Sequence, residues 1–529
     1  MPEDPATADR PSASLEARSA AEGWLRFLPR TPGRIVLLLA FVQVLLWGAL
    51  CARFDPAPPT DSLEQILFSQ DLRIFYVKHP ALPTWILYAV NRTIGSSIAS
   101  TFVLGALCAA VTLPMLYIWA RPLVGAARAA VVTLLTSTIV FMNAGAIQYN
   151  NNTVQLPFAM ASIVLFHTAV ARGGLAAWAL LGAAAGLLAL AKLSAVVLFA
   201  SFAIYLLWTG RLRDRETLHG TAVAVLVFVA LVAPPLVAAN NMDPEADQYI
   251  RMMIFPPEVT RVRRLLSVWD FSWAQVAAVA PAVLAFAFVR RGTPSAPPAN
   301  AGPVALGPFL TIVGFGPFVL TVAIAIVTNA RLLSGWGTTF HVLLPFWLVA
   351  ATGLSIDASR RTLERAAIAC FGLNALLWIA LVANGGALPN LYGKAHRHHS
   401  LAPRELAAAV RRVWEAHTSQ PLRYVVSDIR TGASLAIAYG GQPRVIDGNR
   451  PDFARTFPRE VQLACGFATV AVRPGPRDRS APRYDPLDDV LAEAGPLQPV
   501  TLQLADGTVR TYFVGVRQPV RDANCIVPG

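Results

Sequence analysis

Eleven stretches of this chain are apolar over lengths that approach or reach the width of a lipid bilayer, and no other property narrows its possible folds so far. They run from 35 to 52, 98 to 119, 129 to 147, 153 to 171, 175 to 190, 193 to 208, 220 to 240, 271 to 289, 306 to 328, 338 to 354 and 366 to 384. In a bilayer every backbone N–H and C=O must be satisfied internally, so the expected fold is a polytopic α-helical membrane protein with about eleven transmembrane helices. With 55% hydrophobic and 14% charged residues, an ordinary soluble enzyme is excluded. The first 30 residues are polar and no small-residue cleavage site follows the first apolar run, so that run is expected to be retained.

Charge density changes sharply near Gly385. The first 384 residues carry 44 charged side chains, and the last 145 carry 31. The expected organisation is an N-terminal segment 1–34, a transmembrane domain 35–384 with a long loop at 53–97, and a C-terminal domain 385–529. In that last part, 402–417, 431–440 and 485–494 have helical periodicity, whereas 423–427, 443–447, 466–472 and 509–516 read as strands, which makes a small soluble α/β domain. The linker 292–305, rich in Pro, Gly and Ala, reads as a flexible connection.

Lys and Arg exceed Asp and Glu by 44 to 31, a net charge of +13. Alternating the apolar runs from a cytoplasmic N-terminus puts Arg26, Arg30 and Arg34, Arg121 and Arg128, Arg172, Arg211 with Arg213 and Arg215, Arg290 with Arg291, and Arg360 with Arg361 and Arg365 on the inner side. That is the positive-inside bias of a membrane protein, so the charge implies membrane lipids and no nucleic acid as partner. An odd number of crossings places the C-terminal domain outside, in a bacterium the periplasm beyond the inner membrane. One outer loop, 241–268, carries Arg251, Arg261, Arg263 and Arg264, either as a headgroup-facing segment or as a guide for an anionic lipid. Cys465 and Cys525, the two cysteines of the C-terminal domain, are the candidate disulfide in an oxidising compartment.

The first outer loop differs chemically from its surroundings. Asp61 and Glu64 stand three residues apart in a segment of helical periodicity, on one face of a short helix. Beside a low-dielectric medium both are expected to have raised pKa values, which suits one of them to accept a proton from a hydroxyl. The alternative is that Asp61 caps that helix with Glu64 in the capping-box position.

The stretch from Asp61 through Lys78-His79-Pro80-Ala81-Leu82-Pro83-Thr84-Trp85 resembles the first outer loop of the dolichyl-phosphate-mannose-protein mannosyltransferase-like glycosyltransferases, GT-C enzymes that include the lipid A aminoarabinose transferases. Members open this loop with an Asp-Glu or Asp-x-x-Glu pair and follow it about 18 residues later with a His-Pro-Pro-Leu or Lys-Pro element; Asp61 and His79 are 18 apart. The resemblance extends to the topology and the α/β tail. It implies an inverting transfer of a sugar from a polyprenyl-phosphate donor to a glycan, lipid or protein acceptor. Asp61 matches the catalytic carboxylate and Glu64 the second acid, which would orient the acceptor or Asp61.

Lys192 interrupts an apolar run from 175 to 208 that would be about 51 Å long as one helix, too long for a single span. A break there places the lysine at the outer turn of two short helices, as a partner for the donor phosphate or as a lysine snorkelling to lipid headgroups. Lys78 and His79 are further candidates for the phosphate, with His79 alternatively only shaping the loop before Pro80. Asn150 and Asn151, in the run Asn150-Asn151-Asn152, suit a sugar's hydroxyls, the alternative being helix capping at Asn152 or Thr153. Trp336 and His341 flank a late span, either touching the substrate or, for Trp336, forming part of an interfacial belt. Members with an acidic residue at the asparagine run differ from this chain, so no metal and no cofactor is assigned, and a divalent metal stays open. The competing reading is a transporter or flippase of a lipid-linked saccharide.

Overall fold

The computed structural model describes residues 29–54, 59–240, 251–256, 258–290, 304–352, 356–383, 402–450, 452–476, 487–504, 507, 509–520 and 525. Most of the N-terminal segment with Arg26, Arg291, most of the linker 292–305 and the boundary near Gly385 lie outside the described residues.

After α1 (Pro32–Phe54) the first loop forms two helices, α2 (Thr60–Phe68) and α3 (Leu82–Ile94). There follow α4 (Ile98–Val124), α5 (Ala126–Thr136), α6 (Asn151–Arg172), α7 (Leu175–Ala191), α8 (Val196–Trp208), α9 (Arg215–Asn240), α10 (Arg261–Val289), α11 (Leu306–Thr328), α12 (Leu344–Ala350) and α13 (Arg360–Ala383). Seven of these, α1, α4, α6, α9, α10, α11 and α13, are long and apolar enough to cross a membrane. An eighth crossing results if α5 and the segment Val140–Ile147, bent by 90° to one another, count as one. By length and composition alone seven or eight of the expected eleven therefore qualify among the described residues, and the other apolar runs form the shorter helices α7, α8 and α12. Apolar windows cannot tell a full span from a part of one: at 1.5 Å per residue the 17 residues of α7 reach only about 25 Å, and the stretch 338–354 keeps just seven residues of α-helix in α12.

The helices pack on aromatic side chains, with Phe166 stacked on Phe202 at 4.2 Å and Trp119 edge-on to Phe346 at 5.1 Å. Close approach is set by Gly105 of α4, where a Cβ would stand 2.2 Å from the Ala146 carbonyl oxygen in the bent segment. Leu226, Leu284 and Val327 remain exposed, as lipid-facing residues do.

The C-terminal region begins with α14 (Pro403–Glu415) and builds a five-stranded sheet in the order β2-β1-β3-β5-β4. Its strands are β1 (Tyr424–Ser427), β2 (Arg444–Asp447), β3 (Phe467–Ala471), β4 (Gln498–Gln503) and β5 (Val509–Arg517). The first three are parallel, linked by α15 (Ile429–Tyr439) and α16 (Arg459–Cys465), and β5 and β4 are antiparallel. α17 (Leu487–Glu493) precedes β4. β4 and α16 were not expected. β4 alternates between half-buried and exposed positions, a pattern without a continuous apolar run. Cys465, at the end of α16, is disulfide-bonded to Cys525 with their Cα atoms 4.7 Å apart.

Candidate active site

The apolar run 175–208 breaks where the sequence places the break. Lys192 is extended (φ −158°, ψ 128°) between α7 and the short turn Leu193–Ala195 that leads into α8. Ending α7 leaves backbone carbonyls without a helical partner, and the Ala191 carbonyl accepts a hydrogen bond from Asn151 Nδ2 at 2.7 Å. Lys192 Nζ donates to Asn152 Oδ1. The charged end of a long side chain is thereby fixed beside the start of α6.

Asn150 caps α6, its Oδ1 accepting from the backbone N–H groups of Asn152 and Thr153 at 2.9 and 3.1 Å. Its amide is then left to donate, and Nδ2 reaches Asp61 Oδ2 at 3.1 Å. Capping belongs to Asn150 rather than to Asn152 or Thr153, and one side chain both starts a helix and holds the carboxylate. Asn151 is 6% exposed and bonded to the Ala191 and Pro80 carbonyls, with Gln65 Nε2 3.5 Å from its Oδ1. Its hydrogen-bonding groups tie three segments together.

Asp61 is in the first turn of α2, but the N-cap position is Pro59 and no side chain caps the helix, so the capping-box reading fails. Asp61 is exposed, whereas Glu64, one turn on, is 3% exposed. Lys78 Nζ donates to Glu64 Oε1 at 2.6 Å and His79 Nε2 lies 3.0 Å from Oε2. Burial alone would raise the Glu64 pKa, but hydrogen bonds and charge from His79 and Lys78 outweigh it and hold the carboxyl below its ordinary value. The raised value expected for Glu64 is corrected accordingly: it is a poor proton acceptor and the anchor of two basic side chains.

The helix bearing these carboxylates is covered by the C-terminal region. Gly432 of α15 lies against Leu67, and Leu63, Ile66 and Leu67 share an apolar cluster with Ala433, Leu435 and Val445. β2 is an edge strand, and the side chain of Gln70 closes its edge: Nε2 donates to the Val445 carbonyl at 2.8 Å and Oε1 accepts the Val445 N–H at 3.0 Å. Arg444 pairs with Asp71, Arg73 donates to Thr456 Oγ1 at 3.2 Å, and Arg430 Nη2 donates to Thr60 Oγ1 at 2.9 Å beside Asp61. None of these pairs had a sequence signal, because each joins residues at least 370 positions apart. Asn152 was legible only as a member of a polar run.

Trp336 packs at the edge of a cluster containing Val197, Val268 and Phe271. Its neighbour Gly335 would put a Cβ 3.1 Å from Asn152 Nδ2, so the turn Ser334–Gly337 rests on the residue that holds Lys192. His341 is 9% exposed, 5.6 Å from the Phe318 ring, and its Nε2 has no hydrogen-bond partner among the described residues. The structure thus collects Asp61, Asn150, Asn152 and Lys192 at one place, sets Glu64, Lys78 and His79 one helical turn away, and leaves His341 buried beside the Phe318 ring. Among the described residues no group of three His, Cys, Asp or Glu side chains could hold a metal ion.

A family model described as dolichyl-phosphate-mannose-protein mannosyltransferase matches residues 78–237, a stretch holding Lys78, His79, Asn150, Asn151 and Lys192. No curated protein matches the chain. Among solved structures the fold is similar to the crystal structure of ArnT from Cupriavidus metallidurans bound to undecaprenyl phosphate, at 15% identity, 90% coverage of this chain, 97% of that chain and a TM-score of 0.56. It is likewise similar to ArnT from Cupriavidus metallidurans in the apo state, at 16% identity, 94% and 98% coverage and a TM-score of 0.55. The fold is ArnT-like, of the GT-C type, and the family match bears out the resemblance to the mannosyltransferase-like group over a span that takes in Lys78 to Trp85 of the first loop and leaves Asp61 and Glu64 outside it.

Proposed function

We propose that this multi-pass membrane protein is a glycosyltransferase that moves a sugar from a polyprenyl-phosphate donor to an acceptor hydroxyl. The observation that carries this reading is the meeting of an exposed carboxylate, Asp61, with a fixed cation, Lys192, across Asn150 and Asn152 on an ArnT-like fold. The mannosyltransferase match and the undecaprenyl phosphate bound in an ArnT structure supply the donor class. Nothing in the comparisons favours a flippase.

Asp61 accepts the proton of the acceptor hydroxyl as its oxygen bonds to the anomeric carbon. On the opposite face the bond from that carbon to the phosphate oxygen breaks, and the polyprenyl phosphate leaves with the electron pair. The configuration inverts. Phosphate is a good leaving group, so one base and cations opposite the developing charge suffice. Lys192 serves as one cation. Lys78 and His79, set on Glu64, serve the same phosphate, while Trp336 and the turn before it line the donor side. In this reading the N-terminus is cytoplasmic and the C-terminal region lies in the periplasm of a bacterial inner membrane, which the basic residues of the expected inner loops support.

The test is mass spectrometry of the lipid A, polysaccharide and glycoprotein fractions from cells with the gene, without it, and with Asp61→Asn. A mass increment of one sugar is expected only with the wild-type gene, at unchanged membrane levels of the variant. Its persistence with Asp61→Asn would overturn the mechanism.

A further inference from the structure

The chain leaves β1 toward one side to form β2, then passes back across β1 to form β3 on the other. In open α/β sheets ligands bind outside the carboxyl ends of parallel strands near such a reversal. Here those ends deliver Asp447, Asn449, Arg450 and Asp452 to one place, and the first loop adds Glu64 and Lys78, lining a partly open cavity of about 60 Å³. That is room for about four or five waters.

The chemistry of the wall is selective. Arg450 gives two hydrogen bonds to Asp452, at 2.6 and 2.8 Å, and Lys78 is engaged by Glu64. Arg450 is therefore matched by Asp452, and Glu64, Asp447 and Asp452 outnumber Lys78 and Arg450 in the wall, which disfavours a phosphate inside the cavity itself and leaves Lys78 to meet the donor phosphate from its rim. Asp447 is 5% exposed; its Oδ1 accepts the Asn449 N–H at 3.0 Å, and it has no ion pair among the described residues. Asn449 uses its Oδ1 to accept the Leu487 N–H at 3.2 Å, which leaves its amide N–H groups as donors. A carboxylate acceptor beside an amide donor matches a hydroxyl, which donates to one and accepts from the other.

We infer that this seam between the first loop and the tail sheet binds the hydroxyl-bearing edge of one uncharged sugar ring through Asp447 and Asn449, the rest of the ring standing in the open mouth of the cavity. Glu64, in its wall, is one turn of α2 from Asp61, about 4.5 Å along the helix axis. Resting on the glycosyl-transfer reading, the ring is either the donor's own sugar or the acceptor ring next to the reacting hydroxyl.

The experiment uses the purified full chain in detergent and saturation-transfer difference NMR with free glucose, mannose and galactose. Ring-proton signals are expected from at least one of these with the wild type, falling at least about fivefold in Asp447→Asn and in Asn449→Ala, and unchanged by inorganic phosphate at equal concentration. Melting temperatures equal to or above wild type for Asp447→Asn show that the loss is not unfolding. The absence of any sugar signal, equal signals in both variants, or displacement by phosphate overturns the site. Undecaprenyl phosphate carrying the best-bound sugar then identifies the source. If its affinity advantage over undecaprenyl phosphate is lost in Asp447→Asn, the ring is the donor's; if the advantage persists while free-sugar binding is lost, it is the acceptor's. Failure of the transfer reading shows separately, as product formation by Asp61→Asn, and does not touch the NMR result.

Discussion

Asn150 Nδ2 donates to Asp61 Oδ2 at 3.1 Å while the other end of the same amide caps α6, so the orientation of the proposed base is tied to the start of a helix 89 positions away. The two jobs separate by mutation. Asn150→Asp keeps an oxygen cap but replaces the donor with a second carboxylate facing Asp61. We expect its melting temperature near wild type and its transfer rate down by about 10- to 100-fold. Asn150→Ala loses the cap as well and costs about 1 kcal/mol of stability in addition. Thermal melts and single-turnover transfer on the two variants check this. Equal rates for Asn150→Asp and wild type would remove Asn150 from the orientation of Asp61.

Glu64→Gln addresses the anchor. Because Lys78 and His79 hold the Glu64 carboxyl below its ordinary value of 4.5, its ionisation favours the folded state at neutral pH. That contribution is fully present above the unfolded pKa and is lost as pH falls through the folded value, below 4.5. Wild type should therefore lose stability on acidification in this window, and Glu64→Gln should start less stable and show a flatter profile there. In transfer assays the variant should raise the donor KM several-fold, since two phosphate-facing groups lose their common anchor, and keep measurable kcat. A total loss of kcat with unchanged KM would make Glu64 a proton-transfer group instead.

Lys192→Ala should lower kcat/KM for the donor by about 10- to 100-fold with little change in acceptor KM, the range of one charge-assisted contact. Asn152→Ala should reproduce part of this effect because it releases Lys192 Nζ. Titrating each substrate at saturation of the other decides the matter; equal effects on both would return Lys192 to a headgroup anchor.

The break at Lys192 was readable because a 34-residue apolar run exceeds a bilayer and contains one charge. The helix of Asp61 and Glu64 and the strands β1, β2 and β3 were readable for similar local reasons, and Cys465 with Cys525 because they are the two cysteines of the C-terminal domain. What the sequence hid is tertiary. Asp61 and Glu64 have the same spacing signature but opposite surroundings, one exposed and held by Asn150, the other buried between Lys78 and His79. Gln70 closing the edge of β2 joins residues 375 positions apart, and no periodicity encodes that. α3 falls inside the expected loop 53–97 because its 13 amphipathic residues form no apolar run long enough to stand out.

Asp447 makes the last prediction. Burial, together with the negative charge of Glu64, raises its carboxyl from 3.8 to about 6 even though the Asn449 N–H opposes the shift. A raised carboxyl contributes stability that is fully present below the unfolded value and lost as pH rises through the folded one. Between pH 4 and 6.5 wild type should lose up to about 3 kcal/mol from this group, the equivalent of a shift of roughly two units. Asp447→Asn keeps the shape, removes the charge and should abolish that slope, melting higher than wild type at pH 7.5. Melting curves of both proteins across this range measure the difference. A parallel pH dependence in the two would show that Asp447 is not the group responsible, and a lower melting point for Asp447→Asn at pH 7.5 would show that the carboxylate stabilises the seam between α2 and β2.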